Sequence, residues 1–152
     1  NRLVRRASVN ANGIPSFSIS VLDVLPGNPL NTNRAGSLTV FAPTNQAMIA
    51  EGLNEAAIDA LTPAECLLIA RRHTVNLRWF SSDLKNQLYR NSPFLTSFSL
   101  ATQVPTPGFL LTYNNNANVV SFSTINVSNI GLVEADLVTT NGVIHKINTV
   151  IE

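Results

Sequence analysis

The chain reads as an α+β domain, with helices gathered in its first half and antiparallel strands in its second. Two segments about ninety residues apart carry most of that reading. SLTVFAPTNQAM at residues 37–48 joins a strand pattern to a helix start, and ADLVTTNGVIHKINTV at residues 135–150 has the pattern of a β-hairpin. A third observation sets the scale: 152 residues, 45% apolar and 12% charged, suit one domain spanning 1–152 with a sizeable core.

Residues 1–36 hold two apolar runs. Leu3, Val4, Ala7 and Val9 are spaced to line a helix that stops near Asn12 and Gly13, and Ile19 to Leu25 form the second run. Residues 26–36, PGNPLNTNRAG, are rich in turn formers and are expected to be a loop.

Leu38, Val40 and Ala42 then alternate with Thr39 and Phe41, as a half-buried strand requires. Pro43 lacks a ladder donor and should end that strand. Thr44 is placed to cap the following helix with its hydroxyl, and Asn45 to tie down the turn backbone. Ala47, Met48 and Ile49 are the apolar contacts expected from that helix. Asn54 caps a second helix over 55–61. Thr62, Pro63 and Glu65 give the strongest helix start: a capping hydroxyl, proline at the first helical position and glutamate three after the cap. That helix should reach Arg72, whose cation suits a C-terminus.

Residues 73–77 alternate as a strand, and Ser81 to Leu84 open another turn or helix. Beyond Phe94 the pattern is β, with strands over 109–113 and 119–125 separated by a polar loop at 114–118. In the last segment Asn141 and Gly142 form the strongest two-residue turn signal in the chain. That turn sets Thr140 opposite Val143, Val138 opposite His145 and Asp136 opposite Ile147. Alternation places Val143, His145, Ile147 and Ile151 on the apolar face and Lys146 and Asn148 on the other. His145 therefore reads as a hydrogen-bonded core residue, with Asp136 a candidate partner.

TVFAPTNQAM and NGVIHKIN resemble the two signature segments of the fasciclin-like adhesion domain family. Their order, separation and strand contexts fit, and His73 in LLIARRHTV resembles that family's central segment. Arg72 stands where the family often has a tyrosine, Met48 replaces a common phenylalanine and Asn148 a common aspartate. The resemblance covers residues 37–152. It implies a wedge-like β-sandwich with several helices packed on it. Thr39, Phe41, Pro43, Thr44, Asn45, Asn141, Gly142 and His145 are then motif residues of structural importance. In animal members the central region is linked to integrin binding, which makes Arg72, His73 and Val75 the candidate partner-binding residues.

Little points to chemistry. Two histidines and one cysteine in no metal-ligand spacing argue against a zinc site, and no catalytic triad motif occurs. Glu134 and Asp136, two apart on one strand, share a face and read as a solvated or hairpin-stabilising pair rather than a cation site. Cys66 lies in an apolar helical stretch and reads as a buried thiol. Trp79 and Phe80 read as covered by the central segment rather than as a contact patch. A net charge of +1 gives no electrostatic case for nucleic acid or anionic membrane. Nineteen Asn, thirteen Ser and thirteen Thr make a hydrogen-bonding, weakly charged surface of the kind found outside cells. Asn126, in Asn126-Val127-Ser128, is a candidate glycosylation acceptor.

The expectation is a monomeric, non-catalytic extracellular or cell-surface adhesion module. It uses no cofactor, binds a protein or glycan partner, and is anchored, if at all, through a segment outside this chain. The alternative is a structural spacer of a larger surface protein.

Overall fold

In the computed structural model, residues 38–91, 97–102, 104, 110–116, 119–139 and 142–152 are described. The expected helix near residues 3–12, the second apolar run, the loop at 26–36 and Asn141 lie outside them. Strand β1 (Leu38–Pro43) ends at the proline, as its missing donor requires. Helix α1 (Asn45–Ala50) follows, with the Thr44 hydroxyl accepting from Ala47 N at 3.2 Å. Capping falls to Thr44; Asn45 is an exposed first residue of the helix. Of the three apolar residues expected to pack, Ala47 is buried while Ile49 faces solvent, because six residues give the helix room for one buried position.

The Asn54 carboxamide caps α2 (Glu55–Ala60) through Ala57 N at 2.9 Å. Thr62 and Glu65 form a full capping box on α3 (Pro63–Arg72), with proline in the first turn. Thr62's N–H and hydroxyl together hold the Glu65 carboxyl below its ordinary range. Strand β2 (Thr74–Asn76) leads to Leu77, a leucine at φ 70°, and then to α4 (Ser81–Asn91).

The β half comprises β3 (Ser97–Ala101), β4 (Leu110–Asn116), β5 (Val119–Ser123), β6 (Ile130–Thr139) and β7 (Gly142–Ile147). The expected loop at 114–118 begins later than read, since Asn114 to Asn116 continue β4 and pair with β5. Among the described residues, seven strands hydrogen-bond in the order β2-β1-β7-β6-β5-β4-β3. An antiparallel bridge between Val75 and Thr102 brings the two ends of this order together. The two layers are thus halves of one curled sheet, and the α+β class stands.

The halves meet through aromatic rings. Phe41 of β1 lies edge-on to Phe122 of β5 with centroids 4.8 Å apart, and Tyr113 of β4 meets Phe122 at 5.5 Å. Leu84 of α4, Leu100, Leu111, Ile130, Ile147 and Ile151 complete the core around them. Burying one such Phe side chain contributes about 3 kcal/mol, so this cluster is the main attraction holding the curl closed.

The hairpin register differs from the sequence reading. Thr139 pairs with Gly142, Val138 with Val143 and Leu137 with Ile144; after a shift, Glu134 pairs with Lys146 and Leu132 with Ile147. Gly142 is therefore a paired residue that begins the strand. The reason lies across the sheet. Gly142 sits against Leu38, where an added Cβ would stand 2.2 Å from the Leu38 carbonyl oxygen. Glycine is needed for strand approach as well as for any turn. Two register shifts in β6, one taking up Val133 and the other Ala135 and Asp136, restore the pairing, with Asp136 at φ 61°.

Candidate functional site

The two signature segments lie side by side. Strands β1 and β7 pair in parallel from Leu38 against Gly142 to Pro43 against Ile147, which sets Phe41 beside His145. Thr44 N donates to Ile147 O at 3.0 Å, so the helix start is fixed to the same strand. The buried residues Thr39, Phe41, Val143, His145 and Ile147 follow the alternation expected of both strands.

His145 is fully buried and stacks on Phe41 with centroids 5.5 Å apart. Its Nε2 donates to Trp79 O at 2.8 Å, and its Nδ1 accepts from Asp136 N at 3.2 Å. Those partners fix one neutral tautomer. Asp136 is thus the neighbour that the sequence suggested, but it bonds through its backbone; its carboxylate stands 4.0 Å from Nδ1.

That carboxylate serves another element. The Asp136 oxygens accept from Ser81 N at 2.7 Å and from the Ser81 hydroxyl, capping the start of α4 from a distant strand. Burial alone would raise the Asp136 carboxyl, but the Ser81 hydroxyl and N–H outweigh it and hold it below the usual carboxylate range. Thr39 completes the clamp. Its hydroxyl donates to Leu77 O and accepts from Trp79 N, both at 2.8 Å. Residues 77–81 are consequently held by one residue each from β1, β6 and β7. The Thr39 and Ser81 contacts escaped the sequence reading; a threonine on the aromatic face of a strand was the available signal.

His73 performs a similar task at the end of α3. Its Nδ1 donates to Ile69 O at 2.7 Å and its Nε2 accepts from Ile151 N at 2.9 Å. Burial is the main cause that pushes its pKa down to about 4; the Ile69 bond opposes that and the Arg72 charge adds to it. The residues expected to meet a partner therefore separate. His73 and Val75 are buried, and Arg72 is half-buried. Side chains this deep support the surface without touching a visitor, which corrects the assignment of His73 and Val75.

Glu134 and Asp136 do not share a face, because the shift between them turns the strand. Glu134 pairs in solvent with Lys146 at 2.5 Å while Asp136 faces Ser81. Trp79 and Phe80 are half-buried, with Trp79 packed on the core and its Nε1 donating to Asn76 O. Cys66 is buried. Asn126 is exposed in a turn closed by Thr124, whose N–H donates to Val127 O at 2.7 Å and whose hydroxyl accepts from Asn126 N and Val127 N. Among the described residues no cluster of three metal-ligating side chains occurs, and no helix is long and apolar enough to cross a membrane.

The fold is a curled sheet locked by buried histidines, with the polar groups of its two signature segments engaged in internal bonds. The Fasciclin domain family model matches residues 21–152, and the chain belongs to that family. No curated protein matches the sequence. Among solved structures, the FAS1 domain pair of the insect cell adhesion molecule fasciclin I is similar in fold, with a TM-score of 0.60 at 20% identity. The similarity covers 88% of this chain and 42% of that one, so the chain spans less than half of the pair. Fasciclin domains occur in cell adhesion proteins, which makes an adhesion module the general reading of this chain.

Proposed function

We propose that this domain is an extracellular adhesion module that holds a protein or glycan partner on its exterior without catalysis. One observation carries the proposal. In a domain of an adhesion family, the two histidines, Thr39 and Asp136 are all committed to internal hydrogen bonds. Recognition is left to the surface. Arg72, at the last turn of α3, is the member of the expected partner-binding group that reaches it. A net charge of +1 supports a partner that is neither nucleic acid nor an anionic membrane. The exposed Asn126 turn fits a secreted protein, in which Asn126 carries an N-linked glycan.

Beads coated with the purified chain should attach to cells or extracellular matrix above beads carrying an unrelated domain. Arg72→Ala should weaken attachment severalfold with circular dichroism unchanged. Attachment no better than the control would favour a spacer, and detectable hydrolysis or transfer chemistry would remove the non-catalytic reading. Secretion from a eukaryotic host should give a glycosidase-sensitive mobility shift that Asn126→Gln abolishes; a shift that survives the substitution would clear Asn126.

A further inference from the structure

The charged residues of this chain are not spread evenly. Ten basic and nine acidic side chains are present, yet none falls between Arg90 and Glu134. That stretch supplies β3, β4 and β5. Their registers align six side chains in two rows across three strands: Ser99, Thr112 and Ser123 in one, Ser97, Asn114 and Ser121 in the other. The alternate positions Leu100, Leu111, Tyr113 and Phe122 are buried in the core, so the two rows lie on the opposite, outer face.

Cross-strand bonds hold the rows in place. The Ser99 and Thr112 hydroxyls lie 3.1 Å apart, and Asn114 Nδ2 donates to Ser123 Oγ at 3.0 Å. Each hydroxyl offers one donor and two acceptor positions, so one such bond leaves capacity for a ligand. Three of the described helices make their main strand contacts elsewhere: α1 on β1, α3 on β2, and α4 against β3 from the core side through Leu84.

We infer that this uncharged outer face of β3, β4 and β5 docks a neutral polysaccharide. The inference deepens the adhesion reading and rests on it. A charged partner would be met by complementary charge, and this face has none to offer. Sugar hydroxyls are donors and acceptors at once, as are serine and threonine hydroxyls and, between its two ends, the Asn114 amide. Carboxylates only accept and ammonium groups only donate. None of the six outward side chains is aromatic, so no ring stacks on a sugar. Each hydrogen bond then adds about two- to twelvefold in affinity, and a single sugar binds weakly. A polymer that crosses both rows, and meets several copies of the domain, is held by avidity.

Pelleting the purified chain with insoluble cellulose, chitin and β-glucan, with an anionic polysaccharide resin in parallel, tests this at low and high salt. Retention is expected on at least one neutral polymer, with little change in salt and no competition from the free monosaccharide. The paired change Ser99→Asp and Ser121→Asp should lower retention by roughly tenfold or more, and the alanine pair severalfold. Ile49→Asp, on the exposed side of α1, should leave it unchanged. If the aspartate pair unfolds by circular dichroism, the alanine pair carries the test. No retention on any neutral polymer overturns the inference, as does salt-sensitive retention on the anionic resin alone, or retention that both pairs leave intact. So does attachment to a protein-coated surface that the Asp pair abolishes, which would make the partner a protein. A chain that attaches to cells but pellets with no polysaccharide removes this face and leaves the adhesion reading standing; one that does neither removes both.

Discussion

The β1–β7 side of the sheet and the β3–β4–β5 side keep their strands in place by opposite means. The first relies on a few buried polar groups, each joining segments far apart in sequence. His145 reaches Trp79 across 66 positions, and His73 reaches Ile151 across 78. The second repeats small cross-strand contacts such as Ser99 with Thr112, set at the surface between neighbouring strands. Buried single links have no substitute when one partner is removed, whereas exposed repeated ones are replaced by water. The β1–β7 side should therefore fail at single positions and the β3–β4–β5 side should tolerate change.

Gly142→Ala is the harshest challenge to that contrast. A methyl group 2.2 Å from the Leu38 carbonyl must push two paired strands apart, at a cost of about 4 kcal/mol or more. Urea unfolding should show a collapsed midpoint or no folded protein, and an unchanged midpoint would mean the parallel pair is not required. His145→Ala comes next. It strips Trp79 O and Asp136 N of their partner and leaves a void beside Phe41, for a loss of about 3 to 4 kcal/mol. A melting temperature within a few degrees of the parent protein would contradict the clamp.

Acid sharpens the comparison further, because His73 is the weak point of the β1–β7 side. Its folded pKa of about 4 lies below the ordinary 6.5, so the unfolded chain takes up the proton first. Stability is complete above pH 6.5, falls as pH drops toward 4, and loses on the order of 3 kcal/mol over that window. Asp136, also lowered, adds a second loss at still lower pH as its carboxylate is protonated and the α4 cap weakens. Chemical denaturation across this range should show the decline, and His73→Gln should flatten its upper part. A parent protein with level stability from pH 7 to 4 would rule the mechanism out. The smallest effect is expected on the other side. Ser99→Ala or Thr112→Ala should cost no more than about 0.5 kcal/mol, since water replaces the lost bond. A loss near that of His145→Ala would erase the distinction.

The helical half was legible because its signals are local. Thr44, Asn54 and Thr62 each cap the helix that begins beside them, and Pro43 stops its strand for a reason contained in one residue. The alternation that buries Val143, His145 and Ile147 was equally plain, since a strand with one face in the core repeats every second residue. The register of the hairpin was not legible. Asn141 and Gly142 look like a turn by themselves, while the demand on Gly142 comes from Leu38, far away in sequence. The bulge at Asp136 was hidden for the same reason: its gain is a cap on Ser81, which no spacing announces. His73 was misjudged because its family setting pointed outward, and only the position of Ile151 shows that the ring faces the interior.

The central position of β7 has a further consequence. It lies between β1 and β6, and it joins β1 by pairs about a hundred positions apart in sequence. A strand made late thus fills the middle of the sheet instead of extending its edge. While the chain emerges from the ribosome, β1 has no lasting mate on that edge until β7 arrives. The β1–β7 pairing at the middle of the sheet is thus completed late, and a chain cut short before β7 should be more open to proteases and chaperones.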